Sequence, residues 1–311
     1  MRTLVTGAAG YLGRALTAAL VEAGTSGLIL SDSIHPAAPA GSEPITGDIG
    51  DPALHNRLFA EPVDTVFHLA GVVSGAAEAD CSAGKHVNLD ATIALLEHCR
   101  LQAERGGPVA CFIYASSIAV FGMPLPSRID DTTAPAPTLS YGAHKRACEL
   151  LIDDCTRRGY IDGRALRLSG VVVRPVLPNG ALSGFNSDLI REPLAGRAYT
   201  CPVGPDATIW IASLQRTIAN LLRFAAVEGP ALGAQRAVTM PSLAVAVRTV
   251  VSALGRVDPA AAARVGYAPQ AALETQFGRW PLDCQFARAR TLGLEADVSL
   301  DALIRNHLET R

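Results

Sequence analysis

The stretch TLVTGAAGYLGRAL, residues 3–16, decides the fold of this chain. A short apolar run typical of a buried strand is followed by Gly7, Gly10 and Gly13, and then by apolar residues at helical spacing. The first glycine permits a tight turn, the second lets the backbone approach a pyrophosphate, and the third allows close packing of the helix. The GxxGxxG spacing at a strand-to-helix junction therefore predicts a turn that binds a dinucleotide at a helix N-terminus.

Segments typical of strands and of helices alternate over the first half of the chain. Strand-like runs lie at 2–7, 28–32, 63–71 and 109–117, separated by segments whose apolar residues recur every three to four positions. This alternation requires crossovers between parallel strands, with helices covering both faces of the sheet. The predicted fold class is α/β: a Rossmann-like doubly wound parallel sheet with a smaller mixed α/β C-terminal substrate lobe.

The second predicted strand ends at Asp32, nineteen residues after Gly13. In the Rossmann pattern a carboxylate at this point accepts both ribose hydroxyls of the adenosine and would repel a 2′-phosphate, so NAD is favoured over NADP. A solvated acid at a strand end is the alternative interpretation. Asp48, in GDIGDP at 47–52, is predicted to meet the adenine amino group after the third strand; a turn that leads into a helix explains it equally well.

The boundary between the two parts of the chain is predicted near residue 175. Residues 1–174 are expected to form the NAD-binding Rossmann domain with the catalytic residues. Residues 175–311 are expected to be mostly a substrate-binding lobe, with some segments returning to the Rossmann core. The later pattern predicts a buried strand at 163–175, helices near 183–195, 213–227 and 243–256, a short strand at 236–240, and a terminal helix over 299–309 capped by Ser299.

Composition restricts the classes of partner and the compartment. Hydrophobic residues make up 49% of the chain and charged residues 18%, as in a well-buried globular protein, and the formal net charge is -2. Because no run of five or more Lys or Arg is present, we expect no nucleic-acid partner and no membrane partner. The seven cysteines show no CxxC or Cys/His ligand spacing, so we expect no metal site, no disulfides and a cytoplasmic protein.

The run SYGAHKRACELL, residues 140–151, places Tyr141 and Lys145 four positions apart, hence on one face of a predicted helix. Tyr is a poor base at its ordinary pKa of about 10, but a neighbouring ammonium stabilises its phenolate, and the same ammonium could bond the nicotinamide ribose. Such a pair also occurs by chance in helices. Here it follows a glycine turn and a strand that ends at Ser117, whose hydroxyl is placed to hold a substrate oxygen against Tyr141.

The stretches TGAAGYLG, HLAG, VNLDAT, SSIAVFG and YGAHK together resemble the extended short-chain dehydrogenase/reductase family, in the expected order and across essentially the whole chain. The resemblance implies a Rossmann core with NAD, a catalytic set of Ser117, Tyr141 and Lys145, and a structural or cofactor-facing Asn88. Gly71 stands where many members carry Ala. The cofactor contacts expected from the motifs and the resemblance are Gly7, Gly10, Tyr11, Leu12, Gly13, Asp32, Asp48, Ile49, Leu69, Ala70, Gly71, Val73, Asn88, Tyr141, Lys145, Leu168 and Val171.

The resemblance also narrows the chemistry. Dehydratases of the family carry an Asp-Glu pair after the catalytic hydroxyl residue, whereas Ile118 and Ala119 follow Ser117 here, so dehydration lacks its acid and base. Epimerases and dehydratases usually need a larger C-terminal lobe to grip a nucleotide diphosphate, and this lobe has few arginines placed for that. We interpret His68 as a packed residue of a strand, and we assign no catalytic role to it or to His144.

Several stretches between residues 70 and 241, among them VVSGAAEAD and TMPS, are similar to a branch of the family that oxidises a four-carbon sugar acid at C2. The substrate contacts expected on that basis are Ser74, Ser117, Ile118, Tyr141, Asn179 and Trp210. A loop hydroxyl, a turn residue and a core aromatic are the respective alternatives for Ser74, Asn179 and Trp210. The chain departs from the branch at positions expected to line the substrate pocket: Ser169 and Gly170 stand in place of Pro-Thr, and Ile209 and Ile211 in place of imidazoles.

Other functions stay open on the sequence. The alternatives to a sugar-acid dehydrogenase are an NAD-dependent sugar or sugar-nucleotide epimerase, a uronate dehydrogenase, and a non-catalytic redox sensor that borrows the fold. Sensors of that kind commonly lack the Tyr or the Lys, and both are present here. The usual assembly of the family predicts a homodimer formed through two long helices, one of them carrying Tyr141.

Overall fold

The computed structural model describes residues 1–175 and 182–309. The chain forms two compact units, and each unit is assembled from separate segments of sequence. The first unit contains Met1–Val120, Pro137–Arg167 and Ile218–Val238, and the second contains the described residues of Phe121–Ala136, Leu168–Thr217 and Thr239–Arg311. The chain therefore leaves the first unit and returns to it twice.

Strands and helices alternate along much of the chain. The strands are β1 (Thr3–Thr6), β2 (Leu28–Asp32), β3 (Glu43–Thr46), β4 (Thr65–His68), β5 (Ala110–Ser117), β6 (Arg128–Ile129), β7 (Ile161–Leu168), β8 (Gly170–Val172), β9 (Tyr199–Cys201), β10 (Thr208–Ser213), β11 (Ala237–Thr239), β12 (Leu243–Ala246), β13 (Val265–Tyr267) and β14 (Asp283–Cys284). The helices are α1 (Tyr11–Glu22), α2 (Pro52–Leu58), α3 (Ser74–Ala79), α4 (Cys81–Lys85), α5 (Ala91–Glu104), α6 (Ser140–Arg157), α7 (Phe185–Leu194), α8 (Leu214–Ala225), α9 (Val247–Val257), α10 (Pro259–Ala262), α11 (Ala271–Phe277), α12 (Ala287–Thr291) and α13 (Leu300–Glu309). A π-helical turn covers His86–Asp90, and 3₁₀ turns cover Ile118–Val120, Leu182–Gly184 and Gly229–Leu232.

A seven-stranded sheet runs through the first unit in the order β11, β7, β5, β4, β1, β2, β3. β1 pairs in parallel with both of its neighbours, so that Val5 lies opposite Leu30 on one side and Phe67 on the other. All four residues of β1 are buried, as expected for a parallel strand covered on both faces. The strand order reverses between β1 and β4, and in such sheets ligands bind at this point, outside the carboxyl ends of the strands.

The second unit contains small sheets packed with helices. β10 pairs antiparallel with β12 and parallel with β8, while β13 pairs with β9 and β14 with β6, both in parallel. Residues of β10, α7, α9 and α13 form its buried apolar core, which includes Ile209, Leu189, Val250 and Leu303. No helix among residues 1–175 and 182–309 is long and apolar enough to cross a membrane.

The α/β class and the parallel Rossmann sheet are confirmed, and two expectations about the later part of the chain are wrong. The helix predicted from residue 243 begins at Val247, because residues 243–246 form β12 and pair with β10. The single strand predicted over 163–175 is divided at Ser169 into β7 and β8, which belong to different sheets. Partners distant in sequence override the local pattern in both places. The terminal helix is confirmed, with the Ser299 hydroxyl accepting from the Ala302 N–H at 3.1 Å.

Candidate active site

The turn between β1 and α1 is built from close backbone contacts. Gly7 has a φ of +70°, and a Cβ at this residue would lie 2.7 Å from the backbone nitrogen of Ala70. A Cβ on Gly13 would lie 2.1 Å from the Gly7 carbonyl oxygen, so α1 packs directly on the turn. Gly10 caps the helix without a side-chain hydrogen bond, which leaves the first N–H groups of α1 available to an anion. The turn therefore fits a pyrophosphate.

Asp32 lies at the carboxyl end of β2 and is tied to the glycine turn. Its Oδ2 atom accepts a hydrogen bond from the Ala9 N–H at 2.9 Å, and its Oδ1 atom accepts from the Ile34 N–H at 3.3 Å. These bonds hold the carboxylate beside the strand-to-helix turn, where the Rossmann pattern needs a group that accepts ribose hydroxyls. The residues of the turn therefore fit a dinucleotide that has no 2′-phosphate.

Asp48 follows β3 and takes part in a turn before α2. Its Oδ1 atom accepts from the Gly50 N–H at 2.9 Å, and its Oδ2 atom lies 3.3 Å from Nε2 of His86. The Gly50 N–H, and after it His86, hold the pKa of Asp48 below its ordinary value despite some burial. The next residue, Ile49, packs in the core of the first unit. Contact of Asp48 and Ile49 with adenine stays a prediction.

The loop after β4, residues 69–73, is held by Asn88. The Oδ1 atom of Asn88 accepts from the Val72 N–H at 2.8 Å, and its Nδ2 atom donates to the Val72 carbonyl at 2.9 Å. Both polar ends of this buried amide thus fix the loop. A Cβ on Gly71 would lie 3.1 Å from the Asn88 Oδ1 atom and 3.6 Å from Nζ of Lys145, so the loop passes close to that ammonium.

Ser117, Tyr141 and Lys145 all belong to the first unit. Ser117 is the last residue of β5, and the other two lie in the first two turns of α6. Gly142 allows this helix to approach the 3₁₀ turn after β5, because a Cβ there would lie 2.2 Å from the Ala119 carbonyl oxygen. The close approach brings the start of α6 to the carboxyl end of β5, where a parallel sheet binds its ligands.

Lys145 is only 3% exposed, and its ammonium is anchored on β5. Nζ donates to the Ala115 carbonyl at 2.8 Å and lies 4.5 Å from the centre of the Tyr114 ring and 5.6 Å from the centre of the Tyr141 ring. Burial lowers the pKa of Lys145 to about 8, because the charged form loses its hydration. An ammonium has three donors and the carbonyl uses one, so Lys145 can also serve a nearby phenolate or a ribose.

Ser117 and Ser116 point to opposite sides of β5, as successive strand residues do. The Ser117 Oγ atom accepts from the Ala119 N–H at 3.1 Å, which leaves its own proton for another acceptor. Ser116 is buried and donates instead to a carboxylate, that of Glu149, at 2.6 Å. Ser117 is therefore the hydroxyl of this pair that suits a role in the site.

The expected substrate contacts are distributed over both units. Ser74 begins α3, and Ile118 is buried in the 3₁₀ turn after β5. Trp210, in β10, is 1% exposed; its Nε1 donates to the Pro281 carbonyl at 2.7 Å. Asn179 lies outside the described residues. Contact of these four residues with a substrate stays a prediction, as does contact of the cofactor with Leu168 and Val171, which belong to the second unit.

Among the buried polar side chains, sequence reasoning missed those of Glu149 and Asn186. One is the Glu149 carboxylate, which is bonded to Arg167. Two features of the sequence could have indicated this pair: the four-residue spacing between Lys145 and Glu149, and an Arg inside an apolar strand. The other is Asn186, which is 5% exposed and whose Oδ1 atom has no hydrogen-bond partner in the described part of the chain. A Cβ on Gly170 would lie 2.8 Å from Nδ2 of Asn186, so the departure to glycine at this position makes room for the amide.

The interpretation of His68 as a packed residue is confirmed. Its ring nitrogens bond the hydroxyls of Thr6 and Thr92 at 2.7 Å and 2.9 Å, and burial lowers its pKa to about 3, so the imidazole is neutral. Burial also lowers the pKa of His144. Within residues 1–175 and 182–309, no group of three or more His, Cys, Asp or Glu side chains could hold a metal ion.

Comparison with known proteins agrees with this geometry. The sequence profile of the NAD dependent epimerase/dehydratase family matches residues 3–210. The chain is 41% identical to D-erythronate dehydrogenase of Cupriavidus necator, covering 99% of this chain and 98% of that protein, and 32% identical to D-erythronate dehydrogenase of Haemophilus influenzae, covering 99% of each. The crystal structure of a nucleoside-diphosphate-sugar epimerase from Agrobacterium tumefaciens superimposes with a TM-score of 0.93 at 35% identity, covering 99% of this chain and 94% of that one.

The chain belongs to the NAD-dependent epimerase/dehydratase family. It is an NAD-dependent enzyme that acts on a CH–OH group, and NAD is its cofactor. The expected family resemblance is thereby confirmed over nearly the full length of the chain.

The carboxylate of Asp32 should decide the choice of cofactor. Replacing Asp32→Ser together with Ser33→Arg removes the acceptor for the ribose hydroxyls and supplies a cation for a 2′-phosphate. We expect kcat/KM for NAD to fall by about 10- to 100-fold, the value of a charge-assisted hydrogen bond, and activity with NADP to appear. Ser33→Arg alone is the control and should gain little NADP activity, because the carboxylate remains. Preference of the unmodified enzyme for NADP in parallel assays would show the assignment to be wrong.

Proposed function

We propose that this enzyme oxidises the C2 hydroxyl of D-erythronate, or of a close four-carbon relative, to the 2-oxo acid. The observation that carries the proposal is the 41% identity, over 99% of the chain, to a protein named D-erythronate dehydrogenase. A site with Ser117, Tyr141 and Lys145 beside a dinucleotide-binding turn supports the same reaction. Substrate binding by Ser74, Ile118 and Trp210 is part of the proposal.

Three side chains of the first unit have separate roles in removing the proton from the substrate hydroxyl. Tyr141 takes the proton of the C2 hydroxyl as a general base, and Ser117 donates a hydrogen bond that holds the substrate oxygen. Lys145, anchored on the Ala115 carbonyl, supplies the positive charge that stabilises the Tyr141 phenolate. NAD, when bound, accepts the hydride from C2.

The substrate is tested by the rate of NADH formation with a panel of acids. We expect kcat/KM with D-erythronate to exceed that with L-threonate and D-glucuronate by at least about tenfold, because a site built for one set of hydroxyls leaves polar groups unpaired with another. Highest activity with D-glucuronate would instead identify a uronate dehydrogenase. Absence of NADH with every acid would contradict the proposal.

A nucleoside-diphosphate-sugar epimerase is the second candidate. It is favoured by the 35% identity and the TM-score of 0.93 to the structure from Agrobacterium tumefaciens. Conversion of a UDP-sugar without net NADH, by enzyme that copurifies with tightly bound NAD, would support this alternative. The same assay therefore separates the two functions, since only the dehydrogenase accumulates reduced cofactor.

Tyr141→Phe keeps the packing of the ring and removes the proposed base. We expect kcat to fall by about 10²- to 10⁴-fold, the usual range for a positioned general base, while the Kd of NAD hardly changes. Lys145→Met should reduce both kcat and NAD affinity, because one ammonium serves the phenolate and the ribose. In the unmodified enzyme the rate should rise with pH through one apparent pKa below the free Tyr value of about 10, a property of the Tyr–Lys pair. A Tyr141→Phe enzyme with near-normal kcat on its best acid would refute the mechanism.

We propose a homodimer formed through α5 and α6. Both helices carry exposed apolar side chains: Ile93 is 44% exposed on α5 and Leu150 is 52% exposed on α6. Exposed apolar residues on neighbouring helices are typical of a surface that a partner covers. Leu150→Glu should therefore convert a dimer to a monomer in sedimentation experiments. Leu282→Glu, at a 57% exposed residue of the second unit, is the control and should leave the dimer intact. A monomeric unmodified enzyme would contradict the proposal.

The cytoplasm is the compartment that we propose. All seven cysteines are free thiols, which suits a reducing environment. Cell fractionation measures this directly, and recovery of the enzyme outside the cytoplasm would overturn it.

A further inference from the structure

Glu149 is a fully buried carboxylate of α6 that takes no part in the mechanism described above. Its Oε1 atom accepts from the Ser116 hydroxyl at 2.6 Å and from Nε of Arg167 at 2.8 Å. Its Oε2 atom accepts from Nη2 of Arg167 at 2.8 Å and from Nη1 of Arg146 at 3.1 Å. The carboxylate and Arg167 thus form a two-bond ion pair, an arrangement with strict geometry.

The position of this ion pair links it to the catalytic helix face. Tyr141, Lys145 and Glu149 follow one another at four-residue spacing on α6, and so lie along one face. Besides Arg146 of the same helix, the groups that hold Glu149 come from β5 and β7, and Ser116 lies directly between Ala115, which anchors Lys145, and the strand end. One cross-link therefore fixes the helix to two strands one turn beyond the Lys145 ammonium.

Stability alone does not account for a buried ion pair. Removing two charges from water costs about as much as their attraction returns, so apolar side chains of similar volume would hold α6 on the sheet equally well. An apolar pair, however, would place no charge near Lys145. The electrostatic effect on that ammonium is therefore what distinguishes Glu149 and Arg167 from a simple packing contact.

Most of the other groups around Lys145 are neutral near physiological pH. Burial raises the pKa of Tyr114 and of Cys148, and it lowers the pKa of His68 to about 3. The groups that lie near Lys145 or Glu149 are Tyr114, Ala115 and Ser116 of β5, His68 of β4, Arg167 of β7, Tyr141, His144, Arg146, Cys148 and Asp153 of α6, Asn88 of the π-helical turn and Gly71 of the loop after β4. Burial lowers the pKa of Lys145, and Cys148 and then Glu149 act in the opposite direction. Because burial raises the pKa of the Cys148 thiol and keeps it neutral, Glu149 is the anion that can do so near physiological pH.

We propose that Glu149, held by Arg167 and Ser116, is a positioning residue that sustains the positive charge of Lys145 and fixes its ammonium toward Tyr141. The proposal rests on the role of Lys145 in the proposed function. Arg167 balances Glu149, so the two charges act on Lys145 in opposite directions. Loss of Glu149 therefore weakens the positive charge of the lysine, whereas loss of Arg167 leaves the negative charge of Glu149 unbalanced near it.

The composition of the chain allows a direct test. Lys85 and Lys145 are its only lysines, and Lys85 is exposed and paired with Asp90 at 2.6 Å. Enzyme labelled with ¹³C at the lysine Cε positions, without NAD or substrate, should show two signals, which Lys85→Arg assigns. The pKa of Lys145 is then read by NMR titration in the unmodified enzyme and in variants, with Lys85 as an internal control.

The variants should move the pKa of Lys145 with opposite signs. Glu149→Gln removes a negative charge and should lower it by about one pH unit, whereas Arg167→Gln should raise it by a similar amount. The double variant removes both charges, so its value should lie between those of the two single variants. A merely structural role predicts shifts of one sign, or none. The same pKa of Lys145 in every variant and in the unmodified enzyme would overturn the proposal.

Two further titrations keep the test decisive where a core variant unfolds, and a rate measurement on Glu149→Gln adds to them. Arg146→Gln removes the partly exposed guanidinium that bonds to Glu149, and it should raise the pKa of Lys145 by a smaller amount than Arg167→Gln. An unchanged pKa of Lys145 in this variant would contradict the proposal. Ser116→Ala removes one hydrogen bond and no charge, so the pKa of Lys145 should hardly change. In assays with NAD, we expect Glu149→Gln to lower kcat by about 10- to 100-fold and to raise KM by a smaller factor, because misplacement of a catalytic group slows the chemical step. Because the titrations need neither NAD nor substrate, their failure is distinguishable from failure of the proposed reaction.

Discussion

A lysine ammonium buried at the carboxyl end of a parallel strand is the constraint on which the active-site geometry depends. Lys145 can stay there only because the Ala115 carbonyl accepts one of its hydrogen bonds and the rings of Tyr114 and Tyr141 lie beside it. The helix that carries the lysine is brought close by Gly142, whose missing side chain lets α6 contact the turn after β5. Helix, strand end and ammonium therefore have one mutual arrangement, and Tyr141 and Ser117 share it.

The cofactor end of the site, at the turn after β1, is also built by close packing. There the backbone replaces side chains: Gly7 and Gly13 bring the turn, the loop after β4 and α1 into contact, which leaves N–H groups rather than side chains facing an anion. Asp32 is held by the turn that it serves, through the Ala9 N–H. Gly71 and Asn88 then bring the loop after β4 close to Lys145, so the residues predicted to bind the dinucleotide and those proposed to move the proton are connected inside one unit.

Particular residues show how far the sequence could be read. The glycine turn, the strand ending at Asp32 and the spacing of Tyr141 and Lys145 were predictable, because each depends on neighbours within a few residues along the chain. The pairing of Glu149 with Arg167 was not, since it joins a helix and a strand eighteen positions apart and neither residue is unusual by itself. The strand at residues 243–246 was mistaken for the start of a helix because its hydrogen-bond partners lie in β10, more than thirty residues earlier.

The sequence by itself determined the α/β class and the dinucleotide turn, and it predicts the preference for NAD over NADP and the roles of the Ser, Tyr and Lys residues. These follow from periodicity, from glycine conformation and from charge, which act locally. Only the tertiary structure decided that Ser116 bonds to the Glu149 carboxylate, that the amide of Asn88 holds a loop, that His68 is neutral, and that the Lys145 ammonium is buried away from water. Burial and hydrogen-bond partners set those properties, and both are made by segments that meet only when the chain folds.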